Sequence, residues 1–134
     1  MGERESRVLA VPELARILII DDESLVRDTM RLVLEDEGHE VIEAANGQVA
    51  LELDTARPAD LIITDLIMPE ADGIATIARL RKARPDVKII ALSGGGRLKA
   101  DDPLRLARQL GAVRTLAKPL GPAELIQAVQ TCLA

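Results

Sequence analysis

The sequence predicts an α/β fold, a doubly wound parallel sheet of five strands with helices on both faces. Three observations predict it. Short apolar runs alternate with longer amphipathic stretches five times along the 134 residues. Most of the runs are continuous and rich in β-branched residues, as expected of strands covered on both faces. No repeat, charge block or low-complexity linker divides the chain, and its length suits one domain.

The elements follow in order. Residues 1–15, MGERESRVLAVPELA, read as a flexible leader: the apolar stretch is only a few residues long and lacks the form of a signal peptide. ILII at 17–20 is the first strand. The helix at 24–37 brings Leu25, Met30, Leu32, Val33 and Leu34 to helical spacing and stops at Gly38. VIEA at 41–44 is the second strand, and Asn46 caps a helix that runs to Ala56, with Pro58 beyond it. LIIT at 61–64 is the third strand; the helix at 73–84 carries Ile74, Ile77, Ala78 and Leu80 and ends before Pro85. VKIIAL at 87–92 is the fourth strand. Asp101 or Asp102 caps a helix with Pro103 in its first turn, which Gly111 stops after Leu110. VRTLA at 113–117, interrupted by Arg114 and Thr115, suits an edge strand, and residues 122–133 form the last helix.

Composition narrows the function. Hydrophobic residues make up 48% of the chain and none is Phe, Tyr or Trp, so Leu, Ile, Val, Ala and Met must build the core. A net charge of −5 and the lack of stacking rings both argue against a nucleic-acid surface. Cys132 is the single cysteine, which excludes an internal disulfide and a multi-cysteine metal site and fits a reducing cytoplasm. It reads as a buried thiol near a helix end. His39, the single histidine, reads as a surface or strand-edge residue away from the chemistry. No apolar run reaches membrane-spanning length.

In a sheet of this kind the ligand site lies outside the carboxyl ends of the strands. The distinctive polar residues gather there. Asp21, Asp22 and Glu23 follow the first strand, Asp65 the third, Ser93 and Gly94-Gly95-Gly96 the fourth, and Lys118-Pro119 the fifth. Taken singly, each has an ordinary structural role: a helix cap, a loop carboxylate, a flexible turn, an exposed lysine. Together on one edge they form a charge problem with a chemical solution. Carboxylates so close repel one another unless a positive group compensates. Mg²⁺, which takes oxygen ligands, and Lys118 both suit that role. Carboxylates, a metal and a lysine are the equipment of phosphoryl transfer, in which a carboxylate can be the nucleophile.

These motifs identify a family. IDDE at 20–23, DLIMPEADG at 65–73, ALSGG at 91–95 and KPL at 118–120 resemble the receiver domain of two-component response regulators. The likeness covers residues 16–133. It implies a flavodoxin-like (βα)5 sheet of order 2-1-3-4-5 over residues 16–134. It implies that Asp65 is the phosphoacceptor, and that Asp21, Asp22, Asp65 and the Ile67 carbonyl hold Mg²⁺. Ser93 and Lys118 would contact the phosphoryl oxygens, with Lys118-Pro119 cis. Met68, Pro69 and Gly73 would shape the turn that presents Asp65. The implied donor is a phosphohistidine of a sensor kinase or histidine phosphotransfer protein, and the output is a switched protein-binding surface rather than an enzymatic product. The implied setting is cytoplasmic, with neither nucleic acid nor membrane as direct partner.

The chain departs from the family at two positions. Thr115 stands where a switch Tyr or Phe is usual, and Leu120 replaces a common aromatic. The signal is therefore expected to leave through Ser93 and the glycine run, where the loop before the fourth helix reads as enlarged. The expected output surface comprises the fourth helix, fifth strand and fifth helix, with Leu104, Leu106, Ala112 and Thr115 as candidates. Ala134 directly follows the last helix, which leaves a stand-alone receiver or a piece of a larger regulator. Three alternatives are weighed. A haloacid-dehalogenase-type phosphatase needs a DxD nucleophile after the first strand and gives Asp65 no role. A degenerate receiver does not need the full acidic and basic set. A flavodoxin-like nucleotide binder would use SGGG as a phosphate loop without either glycine-rich fingerprint.

Overall fold

The continuous apolar runs become five strands: β1 (Arg16–Ile20), β2 (Glu40–Ala44), β3 (Leu61–Asp65), β4 (Lys88–Gly94) and β5 (Arg114–Lys118). In this computed structural model, which describes residues 14–66, 73–94, 105, 108, 109, 111, 112 and 114–134, they form one sheet in the order β2-β1-β3-β4-β5. Every pairing is parallel. The predicted class and order both hold, and β5 lies at the edge, as its interrupted pattern suggested.

Among the described residues, four continuous helices cover the strands: α1 (Ser24–Asp36), α2 (Gly47–Ala56), α3 (Gly73–Ala83) and α4 (Pro122–Leu133). Arg105, Arg108 and Gln109 are helical within the helix predicted at 101–110. Its caps, together with Pro103, Leu104 and Leu106, lie outside the described residues, as does the leader through residue 13. Among the described residues, no helix is long and apolar enough to cross a membrane.

Alternation along each strand divides the core in two. On one face Leu18, Ile20, Ile62, Ile89 and Ala91 pack with Ala50 of α2 and Ile77 and Leu80 of α3. On the other, Ile17, Ile19, Ile63, Ile90 and Leu92 pack with Met30 and Leu34 of α1 and Leu125, Ala128, Val129 and Cys132 of α4. A fully buried aliphatic side chain contributes about 1.5–3 kcal/mol, against about 0–1 kcal/mol for a surface ion pair. The two clusters therefore dominate stability, without any aromatic ring.

The helix ends follow local chemistry. Asn46 caps α2 by accepting from the Val49 amide at 2.9 Å. At the end of α1, Gly38 takes φ +99°. Its amide donates to Glu35 O at 2.9 Å and the His39 amide to Leu34 O at 3.2 Å, a Schellman motif. Pro122 opens α4, and Glu124 accepts from the Gly121 amide at 3.0 Å.

Two expectations need correction. Leu25 and Leu32 do not join the buried face of α1; they are 77% and 69% exposed, and Met30 and Leu34 carry the burial. His39 stands at the edge of the sheet, directly before β2, as one of the two expected placements had it, but it is buried rather than on the surface. Its Nδ1 accepts from the Ala15 amide at 3.1 Å, which ties the start of the described chain to the turn before β2.

Candidate functional site

The strand order reverses between β1 and β3, where a doubly wound sheet opens a crevice at the strands' carboxyl ends. Asp21 follows β1 directly and Asp65 ends β3, so the two carboxylates flank that point. Ser93 lies near the end of β4 beside β5, in register with Ala117, and Lys118 ends β5 opposite Gly94. Buried polar side chains are few in the described core, and Asp21, Thr64, Asp65 and Ser93 all lie at this edge.

Asp21 is fully buried, and its contacts account for its charge. Oδ1 accepts from the Glu23 amide at 2.9 Å, and Oδ2 accepts from Lys118 Nζ at 2.9 Å. Lys118 Nζ also donates to Asp65 Oδ2 at 3.3 Å, so one ammonium bridges two carboxylates. Burial pushes the Lys118 pKa down, but hydrogen bonds and attraction to Asp21 and Asp65 outweigh it, and the net direction is upward. Lys118 therefore stays cationic at neutral pH. The Lys118-Pro119 peptide is cis, as the resemblance implied.

Oxygen atoms of Asp21, Asp22 and Asp65 lie within 4.8 Å of one another, with Asp22 exposed and the other two buried. An all-oxygen, three-carboxylate set open on one side fits a hard divalent cation that keeps several waters. It does not suit a soft metal, which prefers sulfur or imidazole.

Gly73 explains how Asp65 is presented. Its amide donates to Leu66 O at 3.0 Å. A Cβ built there would overlap the Asp65 carbonyl oxygen and the Leu66 backbone, so α3 begins directly against the end of β3. Only a residue without a side chain permits that approach. Ile67, Met68 and Pro69 lie outside the described residues, as do Gly95 and Gly96. Thr115, in register with Ala91, is half-buried on β5, and Ala112 is half-buried before it.

Beside the carboxylates a groove of about 820 Å³ is lined by Leu25, Val26, Met30, Leu92, Pro119 and Leu120, with Lys118 in its wall. The exposed Leu25 stands at its rim.

Arg27 is a site contact that the sequence reading missed. Its Nη1 donates to the Asp21 carbonyl at 2.7 Å and its Nε to Glu43 Oε1 at 3.0 Å. One signal was available: a cation in the first turn of a helix opposes the helix dipole and needs a partner.

The comparisons agree with this geometry. The family described as the response regulator receiver domain matches residues 17–130. Sporulation initiation phosphotransferase F of Bacillus subtilis (strain 168) is 32% identical over 118 residues, covering 88% of this chain and 93% of that protein. The transcriptional regulatory protein PdtaR of Mycobacterium tuberculosis is 37% identical over 124 residues; the match covers 90% of this chain but only 57% of that longer protein. The crystal structure of a CheY-like receiver domain protein from Methanospirillum hungatei JF-1 superposes with a TM-score of 0.81 at 28% identity, over 89% of this chain and 93% of that one. With the sheet order, the acidic crevice and the bridging lysine already in place, these likenesses show that the chain belongs to the response regulator receiver domain family.

Proposed function

We propose that this domain accepts a phosphoryl group on Asp65 from a phosphohistidine of a sensor kinase or histidine phosphotransfer protein, and that the acyl phosphate switches a protein-binding surface. The observation that carries the reading is the Lys118 ammonium held between Asp21 and Asp65 at the switch point of the sheet. In the transfer, an Asp65 carboxylate oxygen attacks phosphorus in line with the departing imidazole. An O–P bond forms, the N–P bond breaks, and the imidazole leaves after taking up a proton. Lys118 offsets charge on the phosphoryl oxygens, and Ser93, buried beside Asp65 on the neighbouring strand, donates its hydroxyl to one of them. Water later attacks phosphorus, the O–P bond breaks, and the carboxylate and inorganic phosphate are released.

Asp21, Asp22, Asp65 and the Ile67 carbonyl would hold Mg²⁺, which when bound supplies positive charge against the transferring oxygens. The chain is thus a phosphoacceptor that assists its own phosphorylation and dephosphorylation rather than an enzyme with a separate substrate. The donor docks over the apolar groove beside the site, where Leu25 is exposed. The setting we assign is cytoplasmic, where such kinases phosphorylate their partners.

The test is incubation with acetyl phosphate and Mg²⁺, followed by intact-mass measurement of the wild type and Asp65→Asn. The wild type gains one phosphoryl group and the variant gains none. A gain by both, or by neither, overturns the reading.

A further inference from the structure

We propose that Arg27 is a positioning residue of the acidic pair: it fixes the Asp21–Asp22 peptide plane and thereby sets the affinity for Mg²⁺. The inference rests on the phosphoacceptor reading above. Asp21 is held by four separate contacts. Its amide donates to Ala44 O at 3.2 Å, its Oδ1 takes the Glu23 amide, and its Oδ2 takes Lys118. The fourth is the Arg27 bond to its carbonyl oxygen at 2.7 Å.

That last contact acts on the peptide that joins Asp21 to Asp22, whereas the Glu23 amide holds the peptide on the far side of Asp22. The Asp21 carbonyl and the Asp22 amide belong to one planar unit. Anchoring the oxygen therefore fixes the backbone from which the Asp22 side chain starts. Asp22 is exposed, so packing does not hold its carboxylate as it holds those of Asp21 and Asp65. Its orientation depends on the backbone, and Arg27 restrains that backbone.

Arg27 is itself restrained. The planar guanidinium serves the carbonyl and the carboxylate from two different nitrogens, Nη1 and Nε, held in one fixed geometry that the single nitrogen of an ammonium does not reproduce. The Arg27 and Glu43 side chains are only 15% and 14% exposed. Glu43 Oε2 also accepts from Arg31 Nη1 at 3.3 Å, which completes a chain of charges from the surface of α1 to the metal-binding loop. Burial pushes the Glu43 carboxyl up, but hydrogen bonds from Arg27 and Arg31 and the attraction of Arg27 outweigh it, and the net direction is below the ordinary carboxylate range. Glu43 thus remains the anion that Arg27 needs. The placement is otherwise unfavourable, because Arg27 lies near the positive end of α1, which has no acidic residue in its first turn.

The test measures Mg²⁺ affinity in two ways on the full chain: by amide-shift titration at residues 21–23, and as the half-saturating Mg²⁺ concentration for labelling by acetyl phosphate. In Arg27→Gln both half-points rise roughly tenfold, the size typical of losing a group that orients a metal ligand. The labelling rate returns close to wild type at saturating Mg²⁺. Arg27→Lys recovers part of the loss, and Glu43→Gln shows a smaller rise in the same direction. If wild type is labelled at Asp65 but Arg27→Gln keeps the wild-type half-points, this inference fails alone. A purely structural role, which would lower the folded fraction and the amplitude without moving the half-points, overturns it in the same way. If wild type is not labelled, the phosphoacceptor reading fails and takes this inference with it.

Discussion

Gly73 shows how much of the site depends on one missing side chain. An added Cβ would meet the Asp65 carbonyl and the Leu66 backbone, neither of which can swing aside. Gly73→Ala should destabilise the fold by about 1–3 kcal/mol, the usual cost of forcing an extra carbon into a filled space. On the proposed phosphoacceptor reading it should also slow labelling, because the strain falls on Asp65. Gly111→Ala is the contrast. At φ +97° it should cost about 1–2 kcal/mol through backbone strain, with the Arg81 guanidinium, 3.1 Å from an added Cβ, having to give way, and labelling of the folded fraction unchanged. Urea midpoints and labelling rates for both variants check the pair; equal slowing by both would refute the argument. The positions of Asp65 and Ser93 at the carboxyl edge of the sheet were legible because each closes a continuous apolar run, and that of Lys118 because it follows a weaker, interrupted one. Arg27 was not. A charged residue on a helix ordinarily reads as part of a solvated face, and nothing local shows that its guanidinium reaches a carbonyl at the end of β1.

Among the elements, α2 and α3 are tied at their carboxyl ends by a pair that the sequence did not reveal. Arg84 Nη1 donates to both Asp54 oxygens at 2.8 and 3.0 Å, and Nη2 donates to Ala59 O at 2.9 Å. Asp54 also accepts from the Ala59 amide at 2.8 Å. Asp54 is 5% exposed and Arg84 30%. Removing the cation leaves a buried carboxylate without its counter-charge, whereas the pair itself adds less net stability than that loss suggests. Arg84→Met should cost about 2–3 kcal/mol, below the range for a fully buried pair because Arg84 is partly hydrated. Combining it with Asp54→Asn should cost less than the sum of the single changes. Denaturant melts of the two single variants and the double variant measure the coupling, and strict additivity would count against it. Helix identities were readable from spacing, and the bounds of α4 match the prediction. The buried face of α1 was not, because apolar residues occupy more of its surface than one stripe. Only the sheet's position decides that Met30 and Leu34 are covered while Leu25 and Leu32 remain exposed.

The whole molecule was legible because its central strands are apolar on both sides, a pattern that only a sheet covered on two faces accommodates. The contact that fastens the chain where it enters that sheet was not, and His39 makes it. A lone histidine at the start of a strand reads as a surface or strand-edge residue; here it is at the strand edge but buried, and it accepts the Ala15 amide through Nδ1. That bond requires an unprotonated Nδ1. Burial pushes the His39 pKa below 6.5, while attraction to Glu37 acts weakly in the opposite direction. Lowering the pH therefore favours the unfolded chain, whose histidine titrates near 6.5 and binds a proton that the folded state refuses. Stability is unaffected well above 6.5, where both states are neutral. It falls as pH drops through 6.5 toward the folded-state value, at no more than about 1.4 kcal/mol per pH unit, the limit for one proton. Below the folded-state value this contribution levels off. Urea melts followed by far-ultraviolet circular dichroism, which needs no aromatic reporter, should show the loss between neutral pH and the onset of carboxylate titration. His39→Gln has no such proton to gain, and its stability should stay flat over the same interval. An equal decline in variant and wild type would assign the effect to other groups and remove His39 from the account.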